Sequence, residues 1–234
     1  MAGRRAGRSV VTAGVITLHH LETSRSHRVL WMLEELDLPY EIVRYARDPK
    51  TLLAPAKLRE IHPLGKSPTI TDDGRVYAES AAILEYLVDR YGDGRFVPAK
   101  GSEDYARHRY FMHYAEGSLM PFLLIELVCA RVRSAPLPFF AKPIARRIAD
   151  GVGQTFTHPN LARHTEFIDA ELARAPWFGG VELTCADVQM SYPVAALVER
   201  AGKHGPTDRA REYLSRIRAR PAFQRALERG GEMF

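Results

Sequence analysis

The stretch that decides how the first half of this chain folds is Leu64-Gly65-Lys66-Ser67-Pro68-Thr69-Ile70. It leaves a loop and enters a short predicted strand over residues 68–71, after which Asp72-Asp73-Gly74 signals a hairpin turn into the return strand Val76-Tyr77-Ala78. A cis Ser67-Pro68 bond would turn the backbone N–H and C=O of Ser67 outward, where they can pair with an extended peptide. A trans proline that opens an edge strand is the alternative.

The residues before this hairpin predict a βαβ unit. Residues 15–21 are β-branched and apolar and predict a strand, and residues 40–45 alternate and predict a second one. Between them, apolar residues repeat at i, i+3, i+4 and i+7 over residues 29–36, which is the pattern of an amphipathic helix. Residues 48–60 are polar with weak helical content. A helix that opens at Glu79-Ser80 then completes the order βαβ-α-ββα.

The second half of the chain predicts helices alone. Glycine and proline over residues 92–101 indicate a linker. A long helix over residues 105–133, kinked at Pro121, precedes a helix that begins among the prolines at 136, 138 and 143. Further helices are predicted over residues 160–174, 184–200 and 206–228, the last broken at Pro221. We therefore divide the chain into a disordered basic tail (1–14), an α/β domain (15–92), a linker (93–103) and an all-helical domain (104–234).

Composition narrows the class of protein. The 234 residues carry 33 Lys+Arg against 28 Asp+Glu, a net charge of +5, and three of the basic residues, Arg4, Arg5 and Arg8, lie in the tail. The rest is nearly neutral, which argues against nucleic-acid binding. Mean hydropathy is −0.24 and no apolar run reaches the length of a membrane span. Two cysteines make no disulfide framework, so a reducing, cytoplasmic setting is expected, with an organelle transit peptide as the alternative interpretation of the tail.

Two places in the first domain carry candidate chemistry. Glu79-Ser80 opens a helix, where free N–H groups, the dipole and a hydroxyl attract a carboxylate, while Glu79 can hold an ammonium group. Thr23, Ser24 and Ser26 lie in the turn after the first strand, where a hydroxyl can donate to a thiolate. Ordinary helix capping is the alternative at both places, and in the turn after the first strand Ser24 would then be the N-cap.

Together these segments resemble the glutathione transferase superfamily. The resemblance rests on the strand-Ser24-helix order, on Ile61-His62-Pro63-Leu64-Gly65-Lys66-Ser67-Pro68, on Ala78-Glu79-Ser80-Ala81-Ala82-Ile83 and on the switch to an all-helical second half. It covers residues 15–234 and is nearest to the microbial serine-type members. It implies a thioredoxin-like first domain, and no cysteine lies in the turn as the glutaredoxin-like branches would require.

The resemblance also implies roles for individual residues. Ser67, held by a cis Pro68, would pair with the cysteinyl unit of glutathione, and Glu79 and Ser80 would hold its γ-glutamyl end. Ser24 would donate to the sulfur, with Thr23 and Ser26 as alternatives. The glycyl carboxylate would meet Lys66, and weaker candidates for that contact are Lys57 and His62.

Residues of the helical half receive three further assignments. The long helix would line the electrophile pocket through Tyr110, His113, Tyr114, Gly117 and Met120, for which helix packing is the alternative. The pocket would be covered by Phe139, Phe140, Met233 and Phe234. Thr184-Cys185-Ala186-Asp187 has the form of a capping box, and we interpret Thr184 and Asp187 as structural. Cys129 and Cys185 are expected to be buried, and no metal motif occurs among the histidines.

The expected activity is attack of the glutathione thiol on a hydrophobic electrophile or a peroxide. A glutathione-dependent isomerase or dehalogenase is one alternative. A non-catalytic glutathione-binding or scaffold protein of the same fold is another, since fold does not imply function. The expected partners are glutathione, a small electrophile and a second copy of the chain in a homodimer, without nucleic acid or membrane.

Overall fold

The first half of the chain forms one four-stranded sheet. A computed structural model describes residues 14–200 and 208–233, so residues 1–13 of the predicted basic tail, and Phe234, lie outside the described residues. The strands are β1 (Ile16–Leu21), β2 (Tyr40–Tyr45), β3 (Thr69–Asp72) and β4 (Arg75–Ala78), in the order β2-β1-β3-β4. β1 is parallel to β2 and antiparallel to β3, and β3 and β4 form an antiparallel hairpin. The predicted βαβ unit and the hairpin are both confirmed.

Three helices accompany the sheet. They are α1 (Ser26–Glu35), α2 (Leu58–Ile61) and α3 (Ser80–Tyr91). α1 buries Val29, Met32 and Leu33 against the sheet and the second half, as the apolar repeat predicts. The polar stretch 48–60 contains helix only in the single turn of α2. The order is therefore the predicted βαβ-α-ββα of a thioredoxin-like domain.

The second half is mostly helical over its described residues, with an isolated β-bridge between Trp177 and Gly180 in the loop before the eighth helix. Its helices are α4 (Glu103–Tyr114), α5 (Met120–Arg133), α6 (Lys142–Val152), α7 (His158–Arg174), α8 (Cys185–Arg200), α9 (Asp208–Arg218) and α10 (Pro221–Gly230). α4 runs into α5, and α6 into α7, through two π-helical turns, Ala115–Leu119 and Gly153–Thr157.

These π-helical turns correct two sequence-based expectations. The irregularity predicted at Pro121 lies just before it, at Ala115–Leu119, and the helix predicted to start at residue 160 is already continuous from Lys142. A proline follows within two residues of each turn, at 121 and 159. Because proline has no N–H for the carbonyl four residues earlier and clashes with it, the wider turn places that carbonyl elsewhere.

The end of α1 is clamped to the C-terminal helices by charge. The Glu34 carboxylate accepts hydrogen bonds from Arg225 (2.6 Å) and Arg229 (3.2 Å), and the Glu35 carboxylate accepts two from Arg220. Both glutamates are buried, so these charge-assisted bonds satisfy groups that would otherwise be costly to desolvate. They lock the helical half onto the α/β half behind the sheet.

The start of α8 is built around a buried carboxylate. The Asp187 side chain accepts hydrogen bonds from the Thr184 N–H (2.9 Å) and from the Phe178 N–H (2.6 Å), while Thr184 Oγ1 accepts from the Ala186 N–H (3.2 Å). This is the reciprocal bonding of a capping box. Complete burial nevertheless raises the pKa of Asp187 to about 6, against the opposing effect of its hydrogen bonds.

Gly179 provides a first test of this packing. An ideal Cβ at Gly179 would lie 2.1 Å from Thr184 Oγ1 and 2.7 Å from Thr184 Cβ. We expect Gly179→Ala to lower the free energy of unfolding by about 2 kcal/mol, because the clash pushes Thr184 away from Asp187. Urea unfolding measures this. The matched control is Gly151→Ala on α6, where a Cβ meets nothing within 4 Å and helix propensity improves. Equal stability of the two variants would contradict the prediction.

Both cysteines are buried free thiols, as expected. Burial raises the pKa of each, so that both stay protonated at neutral pH. Within residues 14–200 and 208–233, no helix is long and apolar enough to cross a bilayer. The same residues bring together no group of three or more His, Cys, Asp or Glu side chains suited to a metal ion.

Candidate functional site

A cavity of about 280 Å³ lies where three segments of the first domain meet the helical half. Its walls are Arg25, His62, Leu64, Lys66, Ser67, Pro68, Ala78, Glu79, Ser80 and Glu116. All five residues predicted to bind glutathione line it, together with one of the two weaker candidates, His62, whereas Lys57 lies outside. A larger cavity of about 650 Å³, between the linker and the loop before α8, contains none of these residues.

The Ser67 side chain anchors the loop before β3 to the end of β1. Its hydroxyl donates to the His19 carbonyl (2.9 Å) and accepts from the Leu21 N–H (3.2 Å). The Ser67-Pro68 peptide bond is cis. The loop before β3 is therefore held against the strand end from which the Ser24 turn departs.

Glu79 and Ser80 form the opposite wall. Glu79 adopts φ +73°, a left-handed conformation that non-glycine residues rarely take and that occurs often at functional sites. Its carbonyl accepts the Ile83 N–H (2.9 Å), and α3 starts at the next residue, the largely buried Ser80. The free N–H groups and the positive end of the α3 dipole therefore face the cavity beside one carboxylate.

Glu116 is a wall residue that the sequence did not single out as a site. It lies in the first π-helical turn, and its Oε1 accepts hydrogen bonds from Arg25 Nε (3.1 Å) and Arg28 Nη1 (2.8 Å). Arg28 is completely buried and also donates to Gln189 (2.9 Å). Burial lowers the pKa of Arg28, while Glu116 opposes the shift. The arginines fix the Glu116 carboxylate at the cavity, and only the i, i+3 spacing of Arg25 and Arg28 hints at this in the sequence.

The three candidate hydroxyls of the turn have different environments. Thr23 is exposed, at φ +45°, and its carbonyl accepts from Arg47. Ser24 is 6% exposed, and its Oγ lies 3.2 Å from the Ser26 N–H and 2.8 Å from Ser26 Oγ. Ser26 is fully buried. Arg25, not Ser24, occupies the cap position of α1, without a side-chain bond to the helix.

The residues predicted for the electrophile pocket separate into two groups. Tyr110, His113, Tyr114 and Gly117 line one open groove of about 550 Å³ along α4 and the following turn. Met120 instead packs in the hydrophobic core, 6% exposed. The Tyr114 hydroxyl lies 2.5 Å from His164 Nδ1, and burial raises the Tyr114 pKa, which keeps the phenol neutral. The groove shares no wall residue with the cavity, although His113 and Glu116 are neighbours on the helix surface.

Known proteins similar to this chain share its architecture. Residues 24–90 match the family described as glutathione S-transferase, N-terminal domain. Glutathione S-transferase 3 of Schizosaccharomyces pombe is 38% identical over 92% of this chain and 88% of its own length. Glutathione S-transferase 1 of Saccharomyces cerevisiae is 32% identical over 80% and 82%. The crystal structure of a glutathione S-transferase from Actinobacillus pleuropneumoniae superposes with a TM-score of 0.75 at 30% identity, covering 92% of this chain and 93% of that one.

Proposed function

Because this chain belongs to the glutathione S-transferase family and is an enzyme of that class, we propose that it binds glutathione in the 280 Å³ cavity and activates the thiol with Ser24. The observation that carries the proposal is the meeting of Lys66, Ser67-Pro68 and Glu79-Ser80 in one cavity. These segments come from separate places in the chain and offer complementary groups for the two ends of a tripeptide.

The cavity supplies opposite charges for a zwitterionic ligand. Glu79 would bind the γ-glutamyl ammonium, and the Ser80 hydroxyl with the α3 N-terminus would bind the γ-glutamyl carboxylate. Lys66, with His62 nearby, would meet the glycyl carboxylate. Ser67 would pair its backbone with the cysteinyl unit, which directs the sulfur toward the end of β1 and the Ser24 turn.

Thiol activation at this place is a matter of pKa. A free thiol has a pKa near 8.5, so only a few per cent is thiolate at neutral pH, and a two-unit decrease requires about 2.7 kcal/mol of differential stabilisation. A hydroxyl donating to sulfur at the N-terminus of α1 is of the kind that supplies this. Ser24 is itself buried, at 6% exposure, and lies beside the cavity wall residue Arg25 without lining the cavity. It still fits best, because Ser26 is completely buried and Thr23 is exposed with its backbone carbonyl bonded to Arg47.

The open groove beside Tyr110, His113, Tyr114 and Gly117 is the proposed electrophile site. Its aromatic walls suit an aryl or alkyl substrate. Isothermal calorimetry with glutathione, followed by turnover of an aryl halide and of an organic peroxide, tests binding and reaction class in turn. No binding at 10 mM, about ten times a 1 mM Kd, would favour the scaffold alternative.

The proposed contact between Glu79 and the γ-glutamyl ammonium can be tested by substitution. We expect Glu79→Gln to weaken glutathione binding by about tenfold or more, because a charge-assisted contact to the ammonium is lost. Calorimetry gives the Kd. The control is Glu85→Gln, an exposed glutamate on the same helix and outside the cavity, which should bind as the unaltered protein does. A Glu79→Gln variant with unchanged affinity would assign the ammonium to another carboxylate, and Glu116 is the next candidate.

We also propose a symmetric homodimer, since two-fold pairing is the commonest assembly of globular chains. Size-exclusion chromatography with light scattering, carried out over a dilution series, measures the mass. A mass of one chain at every concentration would contradict it.

A further inference from the structure

A chain of hydrogen bonds runs from Ser24 through the protein to the C-terminal helix. Ser24 Oγ lies 2.8 Å from Ser26 Oγ, which lies 2.9 Å from His20 Nδ1. On the other side of the ring, His20 Nε2 lies 3.0 Å from the Gly230 carbonyl oxygen at the end of α10. His20 and Ser26 are buried, so this chain is shielded from water along its length.

The chemistry of these groups determines the direction of each bond. A carbonyl oxygen only accepts, so the Nε2 of His20 carries a hydrogen and donates it to Gly230. Burial lowers the pKa of His20, so the ring is neutral near pH 7 and its Nδ1 accepts. Ser26 Oγ has two acceptors within reach, His20 Nδ1 at 2.9 Å and the Leu21 carbonyl at 3.3 Å. The shorter contact assigns its one hydrogen to Nδ1, so the contact between the two serines is donated by Ser24. Without a ligand, the hydroxyl hydrogens of Ser24 and Ser26 therefore both point toward His20.

The charges around His20 come from several elements. Glu22, just after β1, favours the protonated ring, whereas Arg44 on β2 disfavours it. His27 on α1 is a further titratable neighbour, and burial lowers its pKa to about 4, so it stays neutral. The Gly230 carbonyl on α10 favours the protonated ring through its hydrogen bond. The carboxylate and the guanidinium thus act in opposite directions, and burial remains the largest effect on the pKa of His20. A negative charge that forms at the sulfur would favour the protonated ring.

We propose that His20 takes up the thiol proton of bound glutathione through Ser24 and Ser26, an inference that rests on the proposed function. The glutathione S–H bond breaks and its proton passes to Ser24 Oγ. The Ser24 hydrogen passes to Ser26 Oγ, and the Ser26 hydrogen passes to His20 Nδ1. The sum is one thiolate and one imidazolium, with no other reactant.

The transfer leaves the hydroxyls in the arrangement that a thiolate needs. Once Nδ1 carries a hydrogen it donates to Ser26, Ser26 donates to Ser24, and Ser24 donates to the sulfur. The two bonds made by the serines have reversed, so both hydroxyls now point toward the sulfur, while the bond from His20 Nε2 to Gly230 keeps its direction. Because His20 acts through two serines and does not touch glutathione, it is a positioning residue. Through Ser26 it orients the hydroxyl of Ser24, and Thr23 is not part of this series of hydrogen bonds.

A proton count tests the proposal directly. Glutathione is titrated into the protein at neutral pH in two buffers of different ionisation enthalpy, and calorimetry gives the protons released to the buffer. Ultraviolet thiolate absorbance of the same complex gives the thiolate formed. We expect the unaltered protein to release clearly fewer protons than it forms thiolates, since His20 retains them. S-methylglutathione, which has no thiol proton, provides the baseline.

Variants of the residues in this hydrogen-bond series complete the experiment. In His20→Gln and in Ser26→Ala the protons released should equal the thiolates formed, and the pKa of the bound thiol should rise by about one unit. Ser26→Ala keeps the bond between His20 and Gly230, so it decides the matter if His20→Gln fails to fold. The control is His19→Gln. The ring of His19 bonds Tyr45 and Thr71 and takes no part in this hydrogen-bond series, so the number of protons released per thiolate should not change.

The outcomes separate the two claims. If the unaltered protein binds glutathione as thiolate but releases one proton per thiolate, the role of His20 is overturned and the proposed function stands. If glutathione does not bind, the proposed function falls and the inference falls with it. If His20→Gln and Ser26→Ala release the same number of protons per thiolate as the unaltered protein, the thiol proton does not go to His20 and the inference is overturned.

Discussion

Ser24→Ala is expected to raise the pKa of the bound glutathione thiol by at least one unit and to lower kcat/KM at neutral pH by about tenfold or more. The physical reason is the loss of the only hydroxyl of the turn that is neither fully buried, as Ser26 is, nor exposed to solvent, as Thr23 is. A pH titration of thiolate absorbance, combined with a pH profile of turnover, measures both effects. Glutathione affinity should change little when binding is measured below the pKa of the thiol.

The control for Ser24→Ala is its neighbour, Thr23→Ala. Thr23 contributes its backbone carbonyl to Arg47, a contact that alanine keeps, so activity and the thiol pKa should remain those of the unaltered protein. The opposite pattern, with Thr23→Ala impaired and Ser24→Ala active, would transfer the role to Thr23. A loss in Ser24→Ala accompanied by lowered thermal stability would indicate damage to the start of α1 instead, since Ser24 Oγ also accepts the Ser26 N–H.

Asp187→Ala is expected to have the largest effect on stability, a loss of about 3–5 kcal/mol in the free energy of unfolding. The carboxylate is completely buried, and its removal leaves the Phe178 and Thr184 N–H groups without acceptors and empties the volume at the start of α8. Urea unfolding followed by circular dichroism gives the value.

The matched control for this variant is Asp208→Ala. Asp208 also lies in the first turn of a helix, α9, but it is exposed, so its removal costs only the helix-dipole contribution of about 0.5 kcal/mol. If both variants lost the same small amount of stability, the buried hydrogen bonds of Asp187 would contribute no more than an exposed carboxylate does.

The pKa of Asp187 adds a pH dependence to this comparison. The folded-state pKa of about 6 lies above the ordinary value of 3.8, so the contribution of this group to stability is fully present below pH 3.8 and is lost as pH rises through 6. The difference in unfolding free energy between the unaltered protein and Asp187→Ala should therefore shrink between pH 4 and 7. A difference that grows over that range would show that the hydrogen bonds to the carboxylate outweigh its desolvation.

Local patterns predicted the elements of the fold well. The apolar repeat over residues 29–36 and the Asp72-Asp73-Gly74 turn correspond to α1 and to the β3–β4 hairpin. Such signals depend on neighbours within about one or two turns of chain, and the sequence displays them directly. The π-helical turn Ala115–Leu119 was missed, because Pro121 shows where regular hydrogen bonding fails but not how the backbone absorbs the failure.

The amino-acid sequence by itself determined the order of strands and helices and the short motifs, Ser67-Pro68 and Glu79-Ser80, that line the cavity, since each depends on residues close together in the chain. Only the tertiary structure decided which side chains join them. Arg28 meets Glu116 across 88 positions of sequence, and His20 meets Gly230 across 210. Contacts of that range arise from the packing of whole elements, and packing reflects the summed burial of many side chains, which no local pattern records.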